Sequence, residues 1–190
     1  MASAMRVARS YDTDDELPFR RLSTAVMKYW VCKRGAPVVV EALECLGGNG
    51  FVEESIMPQF YRDIQIGSVW EGSGSVASLD VLRAMAREPE GAPAFLAECS
   101  LAAGGDRWLD RHLADLEATL AGGGDAVDEW QARRIVEDMG IALQASLLVR
   151  HSPPEVADAF CAARLGERGR AFGTIPAGLE VGAILERALV

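Results

Sequence analysis

Residues 18–50 read PFRRLSTAVMKYWVCKRGAPVVVEALECLGGNG, and apolar side chains recur through this stretch at the spacing of one helix face. The glycines that follow Leu46 accept positive φ angles, so they end a helix and lead into a tight loop. The stretch therefore predicts a long helix from about Pro18 to Leu46, which Pro37 should kink or divide. Its apolar stripe consists of Leu22, Val26, Tyr29, Ala36, Val40 and Leu43.

Apolar residues fall at helical spacing along nearly the whole chain, and strand-like alternation is scarce. Residues 88–93 are expected to form a linker, and the glycines at 122–124 separate two helical stripes. The sequence therefore predicts an all-α fold, a helical bundle in which residues 1–88 form one domain and residues 89–190 a helical extension at its C-terminal side. Further helices are expected at about 4–10, 58–69, 76–87, 109–120, 135–146, 152–163 and 179–189.

The charge of the chain is uneven. The formal net charge is −9, and residues 86–190 hold 10 arginines, no lysine and 17 acidic residues. An acidic second half argues against broad contact with a nucleic-acid backbone. No run of apolar residues is long enough for a transmembrane helix, and the first residues lack the apolar core of a signal peptide, so we expect a cytoplasmic protein without a membrane contact.

The cysteines do not suggest a metal site. Cys32, Cys45, Cys99 and Cys161 include no pair at CxxC spacing, and the chain has only two histidines. A zinc site needs ligands in closer pairs, so no metal is expected. Buried, reduced thiols are the favoured interpretation of all four cysteines, and disulfides are unexpected in a cytoplasmic chain.

Three short motifs stand close together in the first half of the chain: ECLGGNG at 44–50, YRD at 61–63 and WEGSGS at 70–75. Two glycine turns thus flank a short helix, and glycine lets a ligand approach bare backbone amides closely. Glu71 lies in the second turn beside Trp70. Without further context, such turns are ordinary helix corners with a solvated glutamate, and the first is not a phosphate-binding P-loop because no Gly-Lys-Ser/Thr follows.

The order and spacing of these motifs resemble the C-terminal helical domain of acyl-CoA dehydrogenases, over about residues 11–85. Residues 28–50 and 69–85 resemble in particular the branch of the adaptive-response flavoprotein, which is induced by DNA alkylation. The resemblance implies an FAD-dependent oxidoreductase that forms a double bond in an acyl-CoA thioester. The N-terminal helical and middle β-barrel domains of the family are not represented, so we expect a fragment that is inactive alone.

The resemblance implies that Glu71 is the catalytic base, which removes the α-proton of the thioester. The backbone N–H of Glu71 would then stabilise the developing enolate, and desolvation under bound substrate would make the carboxylate a stronger base. Trp70 is either a wall of the flavin or substrate site or a core aromatic residue.

The resemblance also implies that the two glycine turns contact FAD. Where the family has Gln and Thr-x-Gln, this chain has Glu44, Ser73 and Ser75. A carboxylate at Glu44 would repel a pyrophosphate, and Ser75 lacks the reach of a glutamine, so these two contacts are weakened. The implied cofactor-binding residues are Gly47, Gly48, Asn49, Gly50, Trp70, Ser73 and Ser75.

Two other functions compete with an enzyme module. A basic surface could bind duplex DNA, although the acidic second half disfavours it and a solvated helix face is the simpler interpretation; its cations would be Arg20, Arg21, Lys28, Lys33 and Arg34. The chain could also be a non-catalytic oligomerisation domain. A bundle that lacks a helix leaves an apolar groove, so we expect a homo-oligomer or a complex with the missing N-terminal domains. The Arg62–Asp63 pair is expected to be structural, as a salt bridge or helix cap.

Overall fold

The computed structural model describes residues 1–121, 127–166, 172, 174 and 176–188. Within these ranges the chain contains helices and no β-strand, which confirms the all-α prediction. Short 3₁₀ turns occur at Asp14–Glu16 and Glu129–Gln131. The predicted glycine separator at 122–124 lies outside the described residues. The helices are α1 (Ala2–Arg9), α2 (Leu17–Cys45), α3 (Gly48–Phe51), α4 (Met57–Gly67), α5 (Gly74–Arg87), α6 (Gly91–Ser100), α7 (Arg107–Leu120), α8 (Ala132–His151), α9 (Pro154–Arg164) and α10 (Val181–Ala188).

Helix α2 is the central element of the fold, and it packs against α4, α5, α6 and α8. Pro18 stands in its first turn, where the missing N–H would have no intrahelical partner in any case. Pro37 lies inside the helix, which remains continuous from Leu17 to Cys45, so the expected division does not occur. A proline removes one backbone hydrogen bond, and packing on several sides of α2 offsets this loss.

The core draws on both of the predicted segments. Buried residues of α2 and α5 meet those of α6, α7 and α8 in one cluster, so the helices after residue 88 complete the core rather than form a separate one. Each large apolar side chain that is fully buried contributes about 2 kcal/mol to stability. Large side chains with no more than 1% exposure are Leu22, Val26, Val81, Phe95, Leu109, Val136, Met139 and Leu143.

Helix α6 was not expected from the sequence, which indicated a linker at 88–93. The helix begins at Gly91, and Pro93 fits in its first turn because proline needs no hydrogen-bond acceptor there. Phe95 and Cys99 are completely buried. The buried side of α6 packs against α2, α7 and α8, but apolar residues such as Ala97 continue onto its exposed side, so the sequence shows no single apolar stripe.

Helices α2 and α8 approach closely at a glycine. A Cβ atom on Gly140 would lie 2.8 Å from Cγ of Trp30, which is nearer than packed carbon atoms approach each other. The indole N–H of Trp30 donates a hydrogen bond to Oε1 of Gln144 at 2.7 Å. The small residue and the paired indole together fix how α8 lies on α2.

An ion-pair network ties α1, α6 and α8 together. Glu98 accepts hydrogen bonds from Arg6 at 2.7 Å and from Arg150 at 2.6 Å, and Arg6 also pairs with Glu16 at 2.7 Å. The side chain of Glu98 is only 10% exposed. Burial by itself raises the pKa of Glu98, but the hydrogen bonds from the two arginines outweigh it and hold the pKa below its ordinary value.

The four cysteines are free thiols with different environments. Cys99 and Cys161 are buried, and burial raises the pKa of Cys161 to about 12. Cys32 is half-buried and Cys45 is exposed, so the expectation of four buried thiols was wrong for Cys45, which lies in the last turn of α2. The described residues contain no group of histidine, cysteine and acidic side chains that could hold a metal ion, and none of their helices is long and apolar enough to cross a membrane.

Candidate functional site

The first glycine turn lies at the end of α2. Gly47 has a φ of +57°, in the left-handed region that favours glycine, and Gly48–Phe51 then form the single turn of α3. Gly50 is buried against the backbone carbonyl of Leu43, where a Cβ atom would collide. A Cβ atom on Gly47 or Gly48 would have nothing within 4 Å. The turn therefore leaves the backbone of Gly47 and Gly48 open to a ligand, and it requires glycine at position 50.

The second glycine turn connects α4 to α5 and carries Glu71. This residue has a φ of +53°, and it is the one non-glycine residue with a positive φ in the described parts of the chain. Gly72 follows with a φ of +109°. A left-handed conformation costs a residue with a side chain about 1 kcal/mol or more, and such strain is concentrated at functional sites. The strain makes Glu71 a residue that needs an explanation beyond a solvated corner.

Lys28 of α2 holds this turn in place. Its ammonium group donates to the backbone carbonyls of Gly67 at 3.1 Å, Trp70 at 3.0 Å and Gly72 at 2.8 Å. The hydroxyl of Ser68 donates to the carbonyl of Cys32 at 2.9 Å, which adds a second tie to α2. The sequence pattern predicts a solvated helix face for Lys28 and does not indicate this role. The available signal was a single cation among the buried neighbours Met27, Tyr29 and Trp30, since a charge in such a run needs partners.

The serines that follow Glu71 are placed differently from each other. Ser73 is exposed at the N-cap position of α5, and its hydroxyl caps no backbone N–H. Ser75 accepts a hydrogen bond from Nη2 of Arg133 at 2.9 Å. Arg133 belongs to α8, far along the chain, so no local motif could have indicated it. The bond uses one acceptor lone pair of the Ser75 hydroxyl and leaves its O–H free to donate.

The side chains of the second turn lie at the surface. Glu71 is exposed, and Trp70 is 59% exposed, which excludes the interpretation of Trp70 as a core residue. In the first turn, Asn49 is exposed, as is the neighbouring Glu44.

The two glycine turns do not share a pocket in one chain. Lys28 marks the second turn, and Cys45, the last residue of α2 before the first turn, lies 17 residues further along the helix axis. At a helical rise of 1.5 Å per residue, this separation corresponds to roughly 25 Å. A single small ligand would therefore not touch both turns of the same chain.

The clustered cations of α2 are engaged within the molecule. Arg21 pairs with Asp80 at 3.2 Å, Arg20 donates to the carbonyl of Ser10 at 3.2 Å, and the Arg34 guanidinium lies 4.4 Å from the ring centre of Phe172. Lys33 packs against Gly74, where a Cβ atom would collide with its Cε. These side chains are half-buried and have partners within the chain, so the helix face is less solvated than the sequence indicates, and the pair of Arg21 with Asp80 neutralises one of the charges that it would offer to DNA.

Arg62 has a structural role, but its hydrogen-bond partner is Glu53 and not Asp63, its neighbour in the motif. It forms two hydrogen bonds to the Glu53 carboxylate, at 3.0 Å and 3.2 Å. Glu53 stands in the segment between α3 and α4, so the bond connects α4 to the first turn. Both side chains are mostly exposed, and such pairs contribute little to stability.

Known proteins share this architecture and these motifs. Residues 2–86 match the sequence profile of the family described as acyl-CoA dehydrogenase, C-terminal domain. These residues belong to that family. The family match ends two residues before the domain boundary that the sequence indicates at 88.

The similarity to individual relatives extends past the family match. The chain is 34% identical over 172 residues to AidB of Escherichia coli (strain K12), which covers 88% of this chain and 31% of that protein. AidB represents the adaptive-response branch, which confirms the expected branch. The chain is also 44% identical over 71 residues to acyl-CoA dehydrogenase family member 11 of Caenorhabditis elegans, which covers 37% of this chain and 12% of that protein.

A solved structure shares the fold of most of the chain. The crystal structure of Caenorhabditis elegans ACDH-11 in complex with C11-CoA superposes with a TM-score of 0.76 at 26% identity, over 88% of this chain and 33% of that one. The acyl-CoA dehydrogenase-like chain therefore spans about a third of the length of AidB and of ACDH-11.

Proposed function

We propose that this chain supplies the base and part of the flavin contact of an FAD-dependent acyl-CoA dehydrogenase-type oxidoreductase. The observation that carries the proposal is Glu71, held in a strained conformation between two helices within the family's motif order. The substrate class is an acyl-CoA thioester. Support for it comes from ACDH-11, a neighbour of the same fold that was solved with C11-CoA.

In the proposed reaction, the Glu71 carboxylate accepts the proton of the substrate α-carbon, and the electrons of that C–H bond begin to form the new double bond. FAD supplies the acceptor for the hydride that leaves the β-carbon. An α-proton of a thioester is weakly acidic, so the site has to stabilise the enolate that develops on the thioester oxygen. Glu71 is exposed in this chain, and a bound acyl chain would remove water from it and make it a stronger base.

The backbone N–H of Glu71 is available for this stabilisation. Within the described parts of the chain, no group accepts a hydrogen bond from it. A donor of this kind, placed at a developing oxyanion, is worth about 3 kcal/mol of activation free energy. The same residue therefore offers the base and, through its main chain, a donor for the enolate oxygen.

The residues of the first turn fit a phosphate-containing cofactor in part. Gly47 and Gly48 leave open space beside the backbone, and Asn49 is exposed, so Gly47–Gly50 would hold the pyrophosphate and adenosine part of FAD. The exposed Glu44 carboxylate next to this turn is unfavourable for a phosphate, and we assign it no contact. Trp70 and Ser73 would face the flavin, with a minor contribution from Ser75.

The separation of the two turns supports an assembly larger than one chain. Turns that lie roughly 25 Å apart along α2 would serve different parts of the cofactor or different cofactors. We therefore propose that a second copy, or the other domains of a longer protein, completes each site.

The first experiment titrates the 190-residue chain with FAD and follows quenching of flavin fluorescence. We expect uptake that is lost in Gly48→Arg, because the new side chain would fill the open space beside the turn. Gly182→Arg is the matched control, since Gly182 is also helical and open but lies on α10, and it should leave uptake unchanged. Absence of uptake by the unmodified chain at high micromolar FAD would contradict a flavin contact within it.

In the FAD-containing assembly that completes the site, Glu71→Gln is expected to lower acyl-CoA turnover at least about a hundredfold, the usual scale for loss of a general base. The amide of glutamine has nearly the same size as the carboxylate but accepts no proton. Turnover that is unchanged in Glu71→Gln would remove Glu71 from the role of base.

A further inference from the structure

The ammonium group of Lys28 gives its full hydrogen-bonding capacity to the turn that carries Glu71. An ammonium has three N–H donors and no acceptor, and Nζ of Lys28 lies within 3.1 Å of three backbone carbonyl oxygens. These belong to Gly67, Trp70 and Gly72. The long, flexible side chain of Lys28 is thereby fixed by bonds to one connection, the one between α4 and α5.

Helix capping explains only one of these bonds. Gly67 is the last residue of α4, and a cation at a helix C-terminus stabilises the carbonyls there. Trp70 and Gly72 lie beyond the end of α4, immediately before and after Glu71. Lys28 therefore fixes the peptide group before Glu71 and the peptide group after Gly72, so the two residues with positive φ lie between two bonds to the same ammonium group.

The bond to Trp70 has a geometric consequence for Glu71. The carbonyl of Trp70 and the N–H of Glu71 belong to the same peptide group, which is planar and trans, so they point in opposite directions. Because Lys28 draws the carbonyl toward α2, the N–H of Glu71 points away from α2. A cation on the carbonyl also polarises the peptide group and makes its N–H a better donor.

We propose that Lys28 is a positioning residue for the proposed site: through the Trp70 and Gly72 carbonyls it keeps Glu71 in its left-handed conformation and aims the Glu71 N–H at the substrate oxygen. This inference rests on the proposed function of Glu71. Lys28 itself touches neither substrate nor cofactor in this role, and it acts only through the main chain of the turn.

The test uses the ¹⁵N-labelled chain and compares Lys28→Met with Arg21→Met. Arg21 lies on the same helix but pairs with Asp80 of α5, away from the turn, so it is a matched control for loss of a cation from α2. We expect Lys28→Met to move the amide signals of Glu71 and Gly72 and to speed hydrogen exchange at Trp70 at least tenfold. Arg21→Met should leave these amides in place, and Lys28→Arg should recover part of the protection because it keeps a cation with donors.

Unchanged amide signals and exchange rates of the turn in folded Lys28→Met would overturn the inference, because the turn would then keep its conformation without Lys28. A measurement on the unmodified chain keeps the inference testable if Lys28→Met fails to fold. An amine-acylating reagent should modify Lys28 at least tenfold more slowly than Lys33, since all donors of Lys28 are engaged. Equal rates of modification would also overturn it.

Kinetics separate a positioning role from general support of the fold. In the FAD-containing assembly that completes the site, Lys28→Met should lower kcat for acyl-CoA at least tenfold while KM stays within about twofold, because an enolate donor acts mainly in the transition state. Loss of kcat together with unchanged turn amides would count against positioning. If the unmodified chain takes up no FAD while Lys28→Met still disturbs the turn, the proposed function fails. The conclusion that Lys28 fixes the conformation of the turn would still stand.

Discussion

Glu71 combines two properties that rarely occur in one residue: a side chain that is free at the surface and a backbone that is strained. The cost of a left-handed φ falls on any residue with a Cβ atom, and Gly72 beside it has no such cost. A turn that served only to connect α4 and α5 would be more stable with glycine at both positions. The strain is therefore evidence that the carboxylate is needed at this position, as Lys28 is needed to hold it.

Replacement of Glu71 by glycine is expected to stabilise the fold. Relief of the left-handed backbone should exceed the entropy that glycine adds to the unfolded chain, for a net gain of roughly 0.5 kcal/mol in the free energy of unfolding. The matched control is Glu90→Gly, because Glu90 is also exposed but has an ordinary φ of −75°. Chemical denaturation should show opposite signs for the two variants. A loss of stability in Glu71→Gly would mean that the side chain has stabilising contacts of its own.

At the residue scale, the sequence predicted which residues belong to the two turns but not how they are held. The glycine positions follow from local chemistry, since Gly47 has a positive φ and Gly50 meets the carbonyl of Leu43. The bonds from Lys28 and Arg133 come from α2 and α8, and no spacing rule connects residues so far apart in sequence. Long-range polar contacts depend on the packed fold, so only the structure reveals them.

At the scale of elements, periodic patterns located the amphipathic helices and failed where apolar residues also lie on the exposed side of a helix. Helix α2 was predicted within one residue at each end, apart from the effect assigned to Pro37. Helix α6 escaped prediction because apolar residues such as Ala97 continue onto its exposed side, and because prolines and a glycine surround its start. The network of Glu98 then connects this helix to α1 and α8.

Glu98→Gln is expected to lower the free energy of unfolding by about 3 kcal/mol, because it leaves two partly buried arginines without their shared counter-charge. The matched control is Glu53→Gln, which removes a carboxylate that also pairs with an arginine, but at the surface. This control should have little effect, as is usual for exposed pairs. Equal effects of the two variants in denaturant titrations would show that burial of the network adds nothing.

The contribution of Glu98 should depend on pH in a defined direction. Its pKa in the folded state lies below the ordinary 4.5, so the folded state favours the charged carboxylate. The resulting stability is fully present above the pKa of the unfolded state and is lost as the pH falls through the folded pKa. The difference in unfolding free energy between the unmodified chain and Glu98→Gln should thus be largest above about pH 5 and shrink on acidification. A difference that grows toward acid would contradict this assignment.

At the scale of the whole molecule, exposed apolar side chains are most frequent in a segment that adds no residue to the main core cluster. That cluster draws on α2 and on α5 to α9, whereas exposed apolar residues concentrate between the end of α2 and the start of α5. Soluble monomers rarely leave so many large apolar side chains exposed in one region. These residues, which we call the apolar edge, are Leu46, Phe51, Val52, Ile56, Phe60, Ile66, Val69 and Trp70, with exposures of 44–78%.

The apolar edge includes residues of both glycine turns, so a partner that covers it would also close the proposed site. We therefore expect the chain to self-associate at micromolar concentration in light-scattering and sedimentation measurements. Phe51→Asp should shift the population toward monomer without unfolding it, since Phe51 is 78% exposed. Leu101→Asp is the matched control, because Leu101 is 64% exposed but follows α6, away from the apolar edge. A monodisperse monomer of the unmodified chain, or equal effects of the two variants, would show that the apolar edge does not bind a second copy.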